Sequence, residues 1–258
     1  MPTSAADLRL AISCVDLTTL EGSDTPDRVR ALCGDALRPD PGDPSVGPTA
    51  AVCIYPALVD VAVEALAGSS VVVASVSAGF PAGLTPLDAR LLEIRGALAA
   101  GAQEIDVVVN RSLVLSGRLD EAATELAAMR EAAGDAVLKV ILETGELADS
   151  GLIRETTDAA IAAGADFIKT STGKTSPAAT PEAVEAIAGR VAAAHTATGA
   201  VVGVKVSGGV RTSDDAGRYL DLVCEHAGED WMTPRLFRFG ASKLLAALVD
   251  DLRRAEGR

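Results

Sequence analysis

Three lysines occupy short runs that otherwise read as apolar core: Lys139 in Leu138-Lys139-Val140, Lys169 in Ile168-Lys169-Thr170 and Lys205 in Val204-Lys205-Val206. Asp106 lies in the same way between Ile105 and Val107. Lysine and aspartate are seldom fully buried without a partner. Any one of them could be a salt-bridged structural residue. Four on separate runs imply a polar cavity where those runs meet. A neutral lysine amine attacks a carbonyl carbon and forms an imine, which then draws electrons from the adjacent bond. The free amine titrates near ~10.4 and is protonated at neutral pH. A second ammonium ~6 Å away, at an effective dielectric of ~20, opposes that protonation by ~2.8 kcal/mol, about two pKa units. Paired lysines are therefore a route to a nucleophile, and Asp106 would carry protons through a water. Lys169 is favoured as the attacking residue, with Lys205 the alternative, because Thr170-Ser171-Thr172-Gly173-Lys174 supplies hydroxyls and a glycine directly after it.

A second constellation suits an oxyanion. Ser207-Gly208-Gly209-Val210-Arg211 and Phe239-Gly240-Ala241-Ser242 each follow an apolar run, and Gly173 and Lys174 follow another. Glycines let backbone N–H groups close around a phosphate, and Gly-Gly alone is only a turn. Cys53 in Val52-Cys53-Ile54-Tyr55-Pro56 reads by default as a buried structural thiol, with a position on an inner wall near substrate as the alternative. Asp16 in Val15-Asp16-Leu17-Thr18 points inward or caps the next segment.

The elements that must position these residues recur regularly. Runs rich in Val and Ile span Ile12–Leu17, Ala51–Tyr55, Val71–Ser77, Glu104–Asn110, Val137–Glu143, Phe167–Ser171 and Val202–Ser207, and a weaker eighth spans Phe237–Ala241. Stretches with helical periodicity separate them, such as Pro86–Ala100, Leu119–Ala133 and Pro181–Thr196. Thr25-Pro26, Thr85-Pro86 and Thr180-Pro181 each offer a hydroxyl N-cap with proline at the first helical position. Gly101 and Gly164, each in an Ala-Ala-Gly-Ala block, read as helix stops. Asp106 lies five residues after the first of these glycines and Lys169 five after the second, so the two are expected on one interior layer. Strand–helix alternation implies parallel strands, and eight such units fit a closed α/β (β/α)8 TIM barrel better than a doubly wound open sheet. A single domain over residues 1–258 is expected, with residues 1–8 a leading helix or arm and Pro39–Pro48 a surface loop. Phosphate sites in such barrels often use the loops after strands seven and eight, where the Gly-Gly and Gly-Ala-Ser segments fall.

Composition narrows the function classes. The 258 residues carry a net charge of −13, which argues against nucleic-acid binding and requires a local positive pocket for any anionic substrate. No run of 18 uncharged apolar residues suggests a membrane span. The four cysteines show no zinc spacing, and no signal peptide is visible, which suits the cytoplasm. Only His195 and His226 exist, both in expected outer helices, too few for a zinc-dependent route. The expected cofactor and metal are therefore none. Barrels of this kind often pair, so a homodimer is an open expectation.

Taken together, the segments Asp16-Leu17-Thr18-Thr19-Leu20, Cys53-Ile54-Tyr55-Pro56, Gly79-Phe80-Pro81-Ala82-Gly83, Glu104-Ile105-Asp106-Val107-Val108, Leu142-Glu143-Thr144-Gly145-Glu146-Leu147, Phe167 to Lys174, Gly203-Val204-Lys205, Gly208-Gly209-Val210-Arg211 and Arg238-Phe239-Gly240-Ala241-Ser242 resemble the deoxyribose-phosphate aldolases in order over nearly the whole chain. The resemblance implies reversible cleavage of 2-deoxy-D-ribose 5-phosphate to glyceraldehyde 3-phosphate and acetaldehyde, within deoxynucleoside breakdown. It implies Lys169 as the Schiff-base residue, Lys205 as the group lowering its pKa, and Asp106 in proton transfer. It further implies Gly173, Lys174, Gly208, Gly209, Gly240 and Ser242 around the phosphate, and Cys53 and Thr172 at the sugar, with Asp16 and Lys139 in support. Two departures stand out: Val206-Ser207 replaces the family's usual Pro-Ala before Gly-Gly, and the chain ends in Glu256-Gly257-Arg258 rather than in a tyrosine tail. A different imine enzyme, transaldolase-like or using pyridoxal phosphate, and a non-catalytic sugar-phosphate-binding barrel are the alternatives.

Overall fold

The alternation resolves into eight parallel strands that close on themselves. In the computed structural model, which describes residues 4–257, they are β1 (Val15–Thr18), β2 (Ala51–Ile54), β3 (Val72–Ser77), β4 (Glu104–Val108), β5 (Val137–Ile141), β6 (Phe167–Lys169), β7 (Gly203–Ser207) and β8 (Phe237–Ala241). They neighbour one another in sequence order, and β1 pairs with β8 to complete a closed barrel. Helices α2 (Pro26–Leu37), α3 (Val59–Ala65), α4 (Leu87–Ala99), α6 (Leu119–Ala133), α8 (Ser150–Ala162), α9 (Pro181–Thr198), α10 (Ser213–Ala227) and α11 (Leu244–Ala255) form the outer layer. Two short helices, α5 (Arg111–Leu115) and α7 (Thr144–Leu147), follow β4 and β5. Helix α1 (Ala5–Ser13) precedes the barrel and packs on α11. The expected leading arm over residues 1–8 coincides with the start of α1 from Ser4 onward; residues 1–3 lie outside the described residues.

Strand alternation decides which side chains meet the helices and which fill the barrel. Ile105, Val107, Leu138, Val140, Ile168, Val204, Val206, Phe237 and Phe239 join the large apolar core between barrel and helices. The residues between them on β4 to β8 point inward, and those are the charged ones. The remaining part of the interior is small and apolar, built from Ala51, Cys53, Ala74 and Val76 with Leu20.

Local chemistry explains the element ends. Thr25 and Thr180 accept hydrogen bonds from the backbones of Arg28 and Ala183, and each is followed by proline at the first helical position. Thr85 does not cap: α4 begins one residue later, with extended Pro86 at the N-cap. Gly101 and Gly164 stop α4 and α8 at φ +106° and +90°, with paired backbone bonds from Ala102 to Ala97 and from Ala165 to Ala160. The first strand also starts later than expected. Ile12 and Ser13 belong to α1, whose capping box of Ser4 and Asp7 sets Leu8, Ala11 and Ile12 on one buried face. Pro39–Pro48 carries no helix or strand and is fastened by Asp40 to Arg253, at 2.7 and 3.1 Å.

At the barrel's lower rim Arg130, in the last turn of α6, binds the carbonyls of Gly134, Ala136 and Gly164 and the carboxylate of Asp166. Asp166 Oδ2 also accepts the Leu138 N–H at 2.7 Å. One guanidinium thus joins the ends of two helices to the entries of β5 and β6.

Gly203, at the start of β7, has no room for a side chain: a Cβ there would sit 2.3 Å from the Phe167 ring. That ring lies under the charged interior, 5.9 Å from Lys139 Nζ and 5.6 Å from the Arg238 guanidinium. Gly203→Ala is expected to cost about 1–3 kcal/mol by overpacking and to lower the thermal midpoint by several degrees, read by circular dichroism.

Candidate active site

Seven ionisable side chains fill one half of the barrel interior. Asp106 on β4 is their hub. Its Oδ2 accepts from Lys169 Nζ at 2.7 Å and from Lys205 Nζ at 2.8 Å, and its Oδ1 from Lys139 Nζ at 3.1 Å. Lys205 also binds Asp16 Oδ2, and Lys139 binds Glu104. Arg238 closes the ring, with Nη1 2.6 Å from Asp16 Oδ1 and Nη2 2.9 Å from Glu104 Oε1. Asp16, Asp106, Lys139 and Lys205 have no solvent exposure, and Lys169 only 3%. Cys53 Sγ stands 3.9 Å from Asp106 Oδ2, on the inner wall, which is the alternative position for that thiol rather than the default one.

Burial of this kind costs stability unless charges are paired, and here each of the seven has at least one partner of opposite sign. The protonation states follow. Lys205 and Lys139 are held above the usual lysine range because carboxylates outweigh the effect of burial. Asp16 and Asp106 are held below the usual carboxylate range despite burial, by Lys205, Arg238 and Lys139 around the first and by the three lysines around the second. Of the three buried lysines, Lys169 is the one pushed down. Burial is the larger cause, and the Lys205 ammonium adds to it against the pull of Asp106. The charge of Lys205 is thus a contributor rather than the sufficient cause that the lysine spacing suggested. Burial pushes the Cys53 thiol up, and the nearby Asp106 carboxylate adds to it.

Lys169 is also where this cluster meets open space. A cavity of about 550 Å³ at the C-terminal ends of the strands is lined by Lys169 together with Thr172, Gly173, Lys174, Gly208, Gly209, Gly240 and Ser242. Arg28, Arg211 and Lys243 add positive charge to its walls, so the cavity is locally basic in an acidic chain. Gly208 and Gly240 are required by space: a Cβ on Gly208, at φ +81°, would lie 2.6 Å from Ala178 Cβ, and one on Gly240 would lie 2.0 Å from Ser207 Oγ. Asp16, Lys139, Asp106 and Lys205 do not line the cavity; they support Lys169 from beneath.

The chain belongs to the DeoC/LacD family of aldolases. The sequence pattern of that family, described as DeoC/LacD family aldolase, matches residues 10–248. A mouse (Mus musculus) relative named deoxyribose-phosphate aldolase is 46% identical over 252 residues, covering 94% of this chain and 79% of that one. A human (Homo sapiens) relative of the same name is 45% identical over 253 residues, with the same coverage of both chains. The structure of the deoxyribose phosphate aldolase from Aeropyrum pernix, described as tetrameric, superposes with a TM-score of 0.73 at 28% identity, covering 96% of this chain and 93% of that one.

Some members of the site carry no expectation from sequence. Glu104 and Arg238 complete the charged ring; Arg238, between Phe237 and Phe239, shows the signal that marks the lysines, whereas Glu104 follows Gln103 at the start of its run and lies two residues from Asp106 on the same face of β4. Glu143 is fully buried at φ +59°, and its carboxylate accepts the backbone N–H and the hydroxyl of Thr172. Thr172 Oγ1 in turn accepts the Lys174 N–H at 3.1 Å. The Thr172 hydroxyl proton is therefore committed to Glu143, and the oxygen can meet a substrate hydroxyl only as an acceptor. His195 and His226 lie on α9 and α10, with His195 edge-on to Trp231 at 5.2 Å. Among the described residues, no group of three His, Cys, Asp or Glu side chains is arranged to hold a metal ion, and no helix is long and apolar enough to cross a membrane.

Proposed function

We propose that this protein is a class I deoxyribose-phosphate aldolase that reversibly cleaves 2-deoxy-D-ribose 5-phosphate to D-glyceraldehyde 3-phosphate and acetaldehyde. The observation that carries the reading is Lys169: a buried lysine with lowered proton affinity, on the floor of a basic cavity, bound to an aspartate it shares with Lys205. Family membership and the names of the mouse and human relatives support the same activity.

The Lys169 amine adds to the C1 aldehyde, and loss of water gives a protonated imine. The imine accepts the electron pair of the C2–C3 bond as the C3 hydroxyl gives up its proton, so glyceraldehyde 3-phosphate leaves and an enamine stays on Lys169. Protonation of the enamine at C2 and hydrolysis release acetaldehyde and restore the amine. Asp106 is the acceptor nearest Lys169 Nζ and moves these protons, directly or through a water. Lys205 and Lys139 stay charged and hold Asp106 ionised. Gly173, Lys174, Gly208, Gly209, Gly240 and Ser242 take the phosphate at the cavity mouth, and Thr172 accepts from a sugar hydroxyl. Asp16 anchors Lys205, and Cys53 closes the inner wall beside Asp106.

Acetaldehyde with borohydride tests the reading: an ethyl adduct is expected on Lys169, and a folded protein with no adduct there excludes the mechanism. Gly208→Ala probes the phosphate grip. It is expected to raise KM for the phosphorylated substrate about tenfold, roughly 1.4 kcal/mol, with a much smaller change in kcat. The reaction is proposed for the cytoplasm, where thiols such as the four unpaired cysteines stay reduced. A homodimer is the expected assembly, and light scattering distinguishes it from the tetramer reported for the Aeropyrum pernix relative.

A further inference from the structure

The seven buried charges do not balance if all are ionised. Asp16, Glu104 and Asp106 supply three negative charges, while Lys139, Lys205, Arg238 and Lys169 supply four positive ones. The interior is electroneutral only when one cation gives up its proton. Arginine does not do so in proteins. Lys205 touches two carboxylates, Asp16 and Asp106, and Lys139 touches Glu104 and Asp106 with Asp16 3.6 Å away. Lys169 has one carboxylate, shared, and opens on the cavity. It is the odd member, and the count itself selects it over Lys205 as the free amine.

We propose that Arg238 and Glu104, which touch neither the cavity nor Lys169, are positioning residues that set the protonation of Lys169 through this charge count. The inference rests on the imine reading of Lys169. Arg238 holds two of the three carboxylates in place: it bridges Asp16 and Glu104, and its Nε binds the Pro234 carbonyl. Removing it would leave three carboxylates facing three lysines, so a protonated Lys169 would then complete the balance. Removing the Glu104 charge would leave two carboxylates facing four cations and favour the free amine further. The two partners of one ion pair therefore push Lys169 in opposite directions.

Titratable groups surround Lys169 on every other strand but one. β1 presents Asp16, β2 the protonated Cys53 thiol, β4 Asp106 and Glu104, β5 Lys139, β7 Lys205 and β8 Arg238, while β3 presents no titratable side chain. Toward the mouth stand Arg28, Lys174, Arg211, Lys243 and Glu21, and behind Thr172 lies Glu143 with Arg111. Of these, only Glu104 and Arg238 change among the variants below.

The test is the pH dependence of ethyl-adduct formation on Lys169 with acetaldehyde and cyanoborohydride, read by peptide mass. Adduct formation in the wild type falls as pH drops through the Lys169 pKa. Glu104→Gln is expected to move that acid limb about one pH unit lower, and Arg238→Gln about one unit higher. Glu104→Gln/Arg238→Gln, which restores the count, is expected to return it to the wild-type position. Arg238→Lys keeps the charge but loses the fork, and should leave the limb in place whatever its rate. Should Arg238→Gln alone fail to fold, the other three variants still decide. Limbs that coincide in all folded variants, or that move the same way for both partners, overturn the charge count while leaving the aldolase reading intact. Absence of any adduct on wild-type Lys169 overturns both.

Discussion

Replacing Lys169 with methionine is expected to lower kcat/KM for deoxyribose 5-phosphate cleavage by ~10⁴-fold or more. Methionine keeps the length and fills the space, but it has no amine, so no covalent route remains. The distinctive part of the expectation is the stability. Lys169 is the surplus cation of the interior, so its removal leaves Asp16, Glu104 and Asp106 matched by Lys139, Lys205 and Arg238. The variant should therefore fold with a thermal midpoint at or above that of the wild type. A coupled assay for glyceraldehyde 3-phosphate and a melting curve check the two halves. Retained cleavage in the folded variant would remove Lys169 from the mechanism.

Asp106→Asn should do damage of both kinds. The carboxylate is the shared partner of Lys139, Lys169 and Lys205, at 2.7 to 3.1 Å. Neutralising it leaves buried ammonium groups without their common counter-charge, a loss of about 3–5 kcal/mol for a broken buried pair. It also removes the group that moves protons at the imine, a loss of ~10²–10⁴-fold in kcat. The amine of Lys169 is not the limiting part of this variant: losing a carboxylate favours its free form. The adduct should still form with acetaldehyde and borohydride while turnover fails. That split between covalent capture and catalysis separates a proton-transfer role from a merely structural one, in which both would fall together.

Much of this arrangement can be read from residue order. A charge inside a β-branched run must face away from the helices, because its two neighbours face toward them; that alternation is why Asp106, Lys139, Lys169 and Lys205 meet. The repeated Ala-Ala-Gly-Ala block marks two helix stops through the positive φ of Gly101 and Gly164. What is harder to read depends on distance through space. The start of β1 is ambiguous because Leu8, Ala11 and Ile12 suit a helix face as well as a strand entry, and only docking on α11 decides it. Thr85 has the composition of a cap, but extended Pro86 takes that place instead. Arg238 and Glu104 join the ring only because the barrel closes between β8 and β1 and brings Gly240 beside Asp16, a pairing across most of the chain. Burial as the leading cause of the lowered proton affinity of Lys169 likewise needs the packed interior.

The clasp made by Arg130 belongs to the opposite end of the barrel from the reacting lysine. An engineer wanting a catalyst that survives warm or solvent-rich reactors can therefore work on that rim, reinforcing the joins around Gly134, Ala136 and Asp166, without disturbing the chemistry above. At that rim, unlike in the charged interior, durability can be changed apart from turnover.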